Sequence, residues 1–226
     1  MSDHSIDSRP TATIEDYLWV IYVLNRDGES VIGARLAEIL EVSPPTVTVT
    51  LKRMVRDGWI NMGDKKKILL TEDGLRAARL VLRRHMLVEM LLADMLKVPW
   101  GKLHDEAHKL EHYISDEVEN HLIQQLGMPS LCPHGNPIPG NEDLVSDWQP
   151  LIEIAPGSRV IVRRIHELAE GDMVFLDFLE SNGLLIDTEA ILMDVLPSNG
   201  TVSLQIKDQI VTLGLSRAKL IYAQVI

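Results

Sequence analysis

The chain has 226 residues, 46% of them hydrophobic, which is enough for one large domain or two to three small ones with real cores. Its formal net charge of −11 excludes a broadly basic coat for nucleic acid, so any DNA contact must come from a local basic patch. The single Cys132 excludes an internal disulfide and suits a reducing compartment. Residues 1–5 lack a signal-peptide core, and no apolar run is long enough to span a bilayer. We therefore expect a cytoplasmic protein without a membrane partner.

The N-terminal segment predicts three helices. The first begins at Thr13, a plausible N-cap, with Asp16 in its first turn, where the helix dipole favours an acid. The second covers residues 33–40. The third opens at Pro44, because proline suits the first helical turn, and runs to Arg56. Two short helices joined by a tight turn, the second with small hydroxyl residues at its start, are typical of a helix-turn-helix.

A basic hairpin follows these helices. Residues 59–71 predict two strands with Gly63 and Asp64 near the tip, which would form a wing beside the second helix of the helix-turn-helix. Lysines on such a wing bind phosphates, whereas hydroxyl and methyl groups on the helix reach the major groove. The alternative is a protein-binding module with an ordinary solvated lysine run. The candidate DNA-binding residues are Ser43, Pro45, Thr46, Thr48, Thr50, Lys52, Arg53, Lys65, Lys66 and Lys67.

The middle segment predicts three further helices, and one of them carries a stripe of imidazoles and a carboxylate. The residues of this stripe are His104, His108, Glu111 and His112. Positions three and four apart share one face of a helix, and upstream His85 and Glu89 repeat the four-residue spacing. Nitrogen and oxygen donors on a rigid helix suit a borderline divalent cation. A lone histidine is more often part of a solvated face, but this grouping predicts a metal site.

The C-terminal segment follows a linker rich in Pro, Gly and Asn, residues 132–141, which marks a domain boundary. Alternating segments then predict strands over residues 159–165, 190–195, 202–206 and 210–213, with a short helix over 175–180. The predicted fold class is mainly α with a small β domain. It comprises a winged helix-turn-helix over residues 1–75, a helical metal-binding and dimerisation domain over 76–140, and a linker with an SH3-like barrel over 141–226.

Several motifs in combination resemble the diphtheria toxin repressor family, a group of iron- and manganese-responsive transcriptional repressors. The motifs are Ser43-Pro44-Pro45-Thr46-Val47, Arg53-Met54-Val55-Arg56-Asp57-Gly58, His104-Asp105-Glu106-Ala107, Glu111-His112, Ser115-Asp116-Glu117-Val118-Glu119 and Gly135-Asn136-Pro137-Ile138-Pro139-Gly140. The resemblance spans essentially the whole chain. It implies a homodimer that binds double-stranded operator DNA when Mn²⁺ or Fe²⁺ is bound, with Zn²⁺ or Co²⁺ able to replace them in vitro.

The resemblance also implies a primary metal site. This site would join Asp16, on the N-terminal helix, to His108, Glu111 and His112. Iron-sensing members typically have Met and Cys where this chain has Asp16 and His108, and manganese-sensing members usually have a carboxylate in place of His108. The loss of both sulfur donors favours harder ions such as Mn²⁺, whereas the imidazole of His108 favours Fe²⁺ or Zn²⁺.

A second metal site is implied as well, and its ligand set stays open. The candidate ligands are His85, Glu89, His104, Cys132, His134, Glu167 and Glu170. In the family, two ligands come from the C-terminal domain, at the positions of the two C-terminal glutamates, the second replacing a usual Gln. Some relatives use a Cys and a His of the linker instead, and in manganese-sensing members His85 can join the primary site. As bare sequence features, the glutamate pair would be a solvated loop and the cysteine a free loop thiol.

An enzyme is the alternative class. His104 and His108 stand four residues apart, as in a zinc-protease helix, but that chemistry needs a Glu directly after the first His, and Asp105 occupies the position. A Cys132 nucleophile near His134 has no orienting third group in view. A metal-storage protein is a third alternative, and it would not explain the winged helix.

Overall fold

The computed structural model describes residues 9–226, and the chain divides into two compact units between Arg84 and His85. Residues 1–5, inspected above for a signal peptide, lie outside the described residues. Among residues 9–226, no helix is long and apolar enough to cross a membrane. The domain limits at residues 75 and 140 stay predictions.

The first unit contains a helix-turn-helix followed by a hairpin. Its elements are α1 (Ala12–Arg26), α2 (Gly33–Ile39), α3 (Pro44–Arg56), β1 (Ile60–Met62), β2 (Ile68–Leu70) and the first part of α4 (Glu72–Met90). The two strands pair antiparallel, with Met62 opposite Ile68, and a 3-10 turn over Asp64–Lys66 forms the tip. This order of elements is the predicted winged helix-turn-helix.

Helix α1 begins earlier than the sequence predicted, and the prediction of Thr13 as its N-cap was wrong. Thr11 is the N-cap, with extended backbone, and the N–H of Ile14 donates to its carbonyl at 2.8 Å. The N–H of Glu15 also donates to the carbonyl of Thr11, at 2.9 Å, so the helical hydrogen bonds begin two residues before Thr13. Asp16 therefore lies in the second turn, where the helix dipole acts more weakly on a carboxylate.

Helix α3 is amphipathic, and this orients its polar face outward. Val47, Leu51 and Met54 are buried at spacings of four and three residues. Ser43 caps the helix, since its Oγ accepts a hydrogen bond from the N–H of Thr46 at 3.3 Å. Residues on the opposite face are consequently presented to solvent along the first two turns.

The helical part of the second unit packs α5 against the end of α4. After Met90, α4 continues through a π-helical turn, and α5 (Leu103–Glu111) and α6 (Asp116–Gln125) follow. Val88 and Leu92 form an apolar cluster with Leu103 and Ala107. This packing sets the polar residues of α5 beside those at the start of the second unit.

The rest of the second unit is an antiparallel β domain with short helices. Its elements are β3 (Gln149–Pro150), β4 (Arg159–Ile165), α7 (Glu167–Glu170), α8 (Met173–Ser181), β5 (Glu189–Leu196), β6 (Thr201–Ile206), β7 (Gln209–Gly214), α9 (Leu215–Ala218) and β8 (Ile221–Val225). The strand order is β3-β8-β4-β5-β6-β7. Alternate residues such as Val160, Val162 and Leu204 point into one buried core.

The predicted fold class is confirmed by this architecture and by the family matches reported below. The four predicted strands correspond to β4 to β7, and the predicted helix over residues 175–180 is α8. Strands β3 and β8 were not predicted. The expectation of a solvated loop at Glu167 and Glu170 was wrong, since both side chains are buried on α7.

Candidate metal centre

The stripe of residues on α5 divides between two clusters in the structure. His108, Glu111 and His112 form a cluster in which one donor atom from each lies within 4.8 Å of the others. We call it the exposed cluster because the side chain of His108 is exposed, whereas Glu111 is buried. His108 Nδ1 is 3.1 Å from Glu111 Oε1, and His112 Nε2 is 3.5 Å from the same oxygen. His104, one turn before His108, points instead towards the β domain, where its Nδ1 lies 3.3 Å from Glu170 Oε2.

The buried cluster consists of His85, Glu89, His104 and Glu170. One donor atom from each of the four lies within 4.8 Å of the others. His85 Nε2 is 3.3 Å from Glu89 Oε1, and Glu89 is fully buried. These residues come from α4, α5 and α7, so the packing of three elements is needed to assemble them.

His85 connects the two clusters. Its Nδ1 lies 2.5 Å from Glu111 Oε2 in the exposed cluster, while its Nε2 faces Glu89 in the buried cluster. When Nδ1 donates a proton to Glu111, Nε2 carries a lone pair for a cation, which is the arrangement of metal-bound histidines in general. His85 therefore contacts both clusters within this unit, one with each ring nitrogen, and its assignment to either site stays a prediction.

The linker contributes a second set of donors to the same two carboxylates. Cys132 and His134 join Glu89 and Glu170 in a group whose donor atoms also lie within 4.8 Å of one another. His134 Nδ1 is 3.4 Å from Glu89 Oε1 and 3.5 Å from Glu170 Oε1. All four side chains are buried. Cys132 is a free cysteine, and its side chain is buried.

The electrostatics follow from burying acids and imidazoles together. Burial alone would raise the pKa of Glu111, but hydrogen bonds from His108 and His85 outweigh it and lower that pKa to about 2. Burial would likewise lower the pKa of His134, but the charges of Glu89 and Glu170 raise it to about 9. Burial and the same two carboxylates hold the pKa of the Cys132 thiol well above its usual range. The carboxylate of Glu111 is therefore ionised at neutral pH, and the thiol of Cys132 is not.

The donor set fits a divalent cation. Among the described residues, His85 Nε2, both carboxylate oxygens of Glu89 and both ring nitrogens of His134 are buried without a hydrogen bond. Buried polar atoms nearly always have a hydrogen-bond partner, so five such atoms without one indicate that a ligand binds here. Nitrogen, oxygen and one sulfur donor converging on a buried point are the ligands of Mn²⁺, Fe²⁺, Co²⁺ or Zn²⁺.

The two remaining predicted ligands are Glu167 and Asp16. Glu167 accepts a hydrogen bond from Arg164 Nη2 at 2.9 Å and is not part of the buried cluster. Asp16 is half-buried on α1 in the first unit. Both assignments stay predictions.

Asn136 is a member of the centre that was not predicted from the sequence. Its Nδ2 donates to Glu170 Oε1 at 2.5 Å and to the carbonyl of Ile165 at 2.6 Å. Its Oδ1 accepts from Arg164 Nε at 2.5 Å, and the Arg164 guanidinium stacks 4.5 Å above the ring of Tyr222. The signal available in the sequence was a polar residue inside the apolar Gly135–Gly140 motif.

The first unit carries the candidate DNA surface. Of its predicted residues, Thr50 is half-buried and the others are exposed, namely Ser43, Pro45, Thr46, Thr48, Lys52, Arg53, Lys65, Lys66 and Lys67. The hydroxyls of Thr48 and Thr50 donate to the carbonyls of Pro44 and Thr46 at 2.9 and 3.0 Å. Their methyl groups therefore remain for apolar contact. Val49 is 68% exposed on the same helix, and it was not among the residues predicted from the sequence.

Fold and site together define a winged-helix protein with a histidine and carboxylate centre and a small β domain. Residues 10–68 match the family model for the N-terminal DNA-binding domain of iron-dependent repressors, and residues 71–140 match the model for their metal-binding and dimerisation domain. Residues 149–225 match the FeoA domain. The chain therefore belongs to the diphtheria toxin repressor family of metal-dependent transcriptional repressors.

Individual relatives agree with this assignment. The iron-dependent repressor IdeR of Mycobacterium tuberculosis is 36% identical over 199 residues, covering 83% of this chain and 86% of that protein. The diphtheria toxin repressor of Corynebacterium efficiens is 38% identical over 199 residues, covering 84% and 85%. The family consists of DNA-binding repressors and not of enzymes, so the hydrolase alternative is not supported.

Solved structures are also similar over nearly the whole chain. A manganese-dependent transcriptional repressor in complex with manganese has a TM-score of 0.83 at 29% identity, covering 94% of this chain and all of that one. The repressor ScaR with bound Zn²⁺ has a TM-score of 0.82 at 29% identity, covering 96% and 100%.

Proposed function

We propose that this protein is a homodimeric repressor that binds operator DNA when Mn²⁺ or Fe²⁺ occupies the exposed cluster. The observation that carries the proposal is that one chain combines a winged helix, with basic side chains on its wing, and a histidine and carboxylate centre. The metals named for relatives include manganese, zinc and iron. A repressor acts on chromosomal DNA, so we place its action in the cytoplasm.

Asp16 of α1 is proposed as the ligand that completes the exposed cluster with His108, Glu111 and His112. A bound divalent ion would supply the positive charge that holds these acids and imidazoles together. Asp16 lies in the helix that leads into the DNA-reading helices, so its engagement selects the DNA-competent arrangement. A typical coupling between two such sites is about 1–3 kcal/mol.

The donor set of the exposed cluster bears on the choice of metal. Its ligands are oxygen and nitrogen, with no sulfur, which suits Mn²⁺ better than softer ions. The three histidines that contact Glu111, namely His85, His108 and His112, instead favour Fe²⁺. Operator affinity measured under Mn²⁺, Fe²⁺ and Zn²⁺ at matched free concentrations would rank them.

Dimerisation is proposed to use the helical part of the second unit. Leu110, in the last turn of α5, and Tyr113, just after this helix, are 43% and 85% exposed, which is costly for large apolar side chains in a monomer. They lie within residues 71–140, the segment that matches the dimerisation model. Two copies would also present two winged helices to adjacent half-sites.

The test is metal-stimulated DNA binding by the full chain. An operator duplex selected from random sequence, labelled with a fluorophore, is titrated with wild type, Asp16→Ala, His112→Ala and the control His121→Ala. His121 is an exposed histidine of α6 outside both clusters. We expect the first two variants to lose metal stimulation and the control to keep it, with all proteins dimeric by sedimentation. Full metal-dependent affinity in His112→Ala would overturn the assignment of the exposed cluster.

A further inference from the structure

Two complete sets of metal donors share the carboxylates of Glu89 and Glu170. One set adds His85 and His104, and the other adds Cys132 and His134, and in each set the donor atoms lie within 4.8 Å of one another. On sequence alone, the two sets are alternatives for one second site. The structure contains both, in the same buried region of one compact unit.

The two oxygens of Glu170 face different sets. Oε2 lies 3.3 Å from His104 Nδ1, whereas Oε1 lies 3.5 Å from His134 Nδ1 and 4.0 Å from Cys132 Sγ. Asn136 donates to Oε1 and fixes the plane of the carboxylate, which leaves a second lone pair on that oxygen. Such a carboxylate is oriented to bridge two cations.

Glu89 occupies the equivalent position on the other side. Its Oε1 lies 3.3 Å from His85 Nε2 and 3.4 Å from His134 Nδ1, so it borders both sets. Glu89 is fully buried, and neither of its oxygens makes a hydrogen bond to a described residue. Four lone-pair positions on this carboxylate are therefore available for cations.

We propose that this region holds two divalent cations at once, bridged by Glu89 and Glu170. His85 and His104 complete the half with only nitrogen and oxygen donors, and Cys132 and His134 complete the half with sulfur. Each half then has four donors, the number that a tetrahedral ion requires. The proposal deepens the proposed function, and it rests on that function only in taking the ligand to be a divalent metal.

Occupancy of one half alone would leave buried donors unsatisfied. With an ion held only by His85 and His104, the Nε2 of His134 remains buried without a hydrogen bond. The charges are compatible with two ions, since two carboxylates and a thiolate carry −3 and the two divalent cations carry +4. The proton of the Cys132 thiol passes to the buffer as the sulfur binds. The sulfur half would favour softer ions than the other half.

The experiment counts Co²⁺ per chain in full-length protein without DNA. The exposed cluster is first disabled by His108→Gln with His112→Gln, and bound Co²⁺ is measured by elemental analysis after desalting. We expect two ions per chain in this background, one after Cys132→Ser with His134→Gln, and one after His104→Gln. The matched control His121→Gln should keep two. If the protein with only His108→Gln and His112→Gln binds one ion, the two sets compete for a single cation, and the proposal is overturned.

Spectroscopy of the protein with only His108→Gln and His112→Gln tests the proposal even if the variants at Cys132, His134 or His104 misfold. Co²⁺ bound to Cys132 gives a thiolate charge-transfer band in the near ultraviolet, and two carboxylate-bridged Co²⁺ ions couple magnetically. We expect the band, and a weaker electron paramagnetic resonance signal per ion at two equivalents than at one. A signal that simply doubles, or no band at saturation, would overturn the proposal. Metal-stimulated operator binding that persists in this background, with these readouts as expected, would contradict only the proposed function.

Discussion

His134 is a buried imidazole that carries a proton in the metal-free protein, because its pKa is raised to about 9 by Glu89 and Glu170. This ion pairing stabilises the metal-free fold fully below pH 6.5, and the contribution is lost as the pH rises through about 9. An imidazole binds a metal only when the coordinating nitrogen carries no proton, so metal binding by His134 at pH 7.5 has to expel this proton.

We therefore predict that metal binding at pH 7.5 releases protons and that His134→Gln releases about one fewer. Isothermal titration calorimetry in buffers of different ionisation enthalpy measures the number released. His121→Gln provides the control and should match wild type. An unchanged proton count in His134→Gln would contradict the assignment of His134 as a ligand.

Gly135 sits in the turn between Cys132 and Asn136, and its backbone is left-handed with φ +82°. A Cβ there would lie 1.9 Å from the carbonyl oxygen of Arg163, so the turn and β4 cannot both keep their places. Gly127 has a similar φ of +73°, but a Cβ added there meets nothing within 4 Å. The two glycines therefore separate backbone strain from steric overlap.

Gly135→Ala should lower the free energy of unfolding by more than about 4 kcal/mol, and Gly127→Ala by only about 1–2 kcal/mol. Chemical denaturation of the metal-free proteins measures both. Because the turn holds Cys132 and His134, Gly135→Ala should also reduce the amount of bound metal. Equal destabilisation by the two substitutions would show that the overlap with Arg163 is relieved at little cost.

At the scale of elements, the sequence predicted the limits of those helices and strands that are set by residues within or next to the element. Helix α3 has the predicted limits, because Pro44 fixes its start, Ser43 caps it and Asp57-Gly58 ends it. Strand β4 also has the predicted limits. Strand β8 was missed, because its pairing with Val160–Ile165 joins segments about 60 residues apart along the chain. No pattern within residues 221–225 reveals that partner.

The metal centre was predicted in its residue types and only partly in its grouping. Helical spacing put His104 and His108 on one stripe, and their rings do stack 6.5 Å apart. The spacing could not reveal that His104 faces Glu170 of α7, because that contact depends on how the β domain packs. Asn136 was missed for the same reason, since its partners Arg164 and Glu170 lie 28 and 34 residues away.

The wing is the element that should carry most of the salt dependence of DNA binding. Lys65 and Lys66 are exposed at its tip, both with left-handed backbone, and Lys67 follows them. Lysines that contact phosphates add affinity without sequence preference, and each neutralised phosphate adds about 0.9 to the slope of log K against log salt.

Replacing Lys65 and Lys66 with Gln should weaken operator and non-operator binding alike. It should also reduce the salt slope by about 1 for each phosphate that the lysines neutralise in wild type, summed over both protomers. Fluorescence anisotropy at salt concentrations between about 50 and 200 mM, where affinity falls steeply with salt, measures the slope. Lys207→Gln, at an exposed turn of the β domain, is the matched control. A slope equal to that of wild type would remove the wing from the DNA interface.

At the scale of the whole molecule, metal and DNA are two ligands of one protein, so each must affect the binding of the other equally. If metal raises operator affinity, operator DNA raises metal affinity by the same factor, about 5- to 150-fold for a typical coupling. We predict this tightening in wild type, measured by competition with a fluorescent chelator in the presence of operator duplex.

A duplex of scrambled sequence should produce a smaller effect, because non-specific DNA is held largely by phosphate contacts. His112→Ala should bind operator with no metal coupling, since the exposed cluster lacks a ligand. Metal affinity that does not change on adding operator would mean that DNA binding is not linked to metal, whatever the occupancy of the clusters.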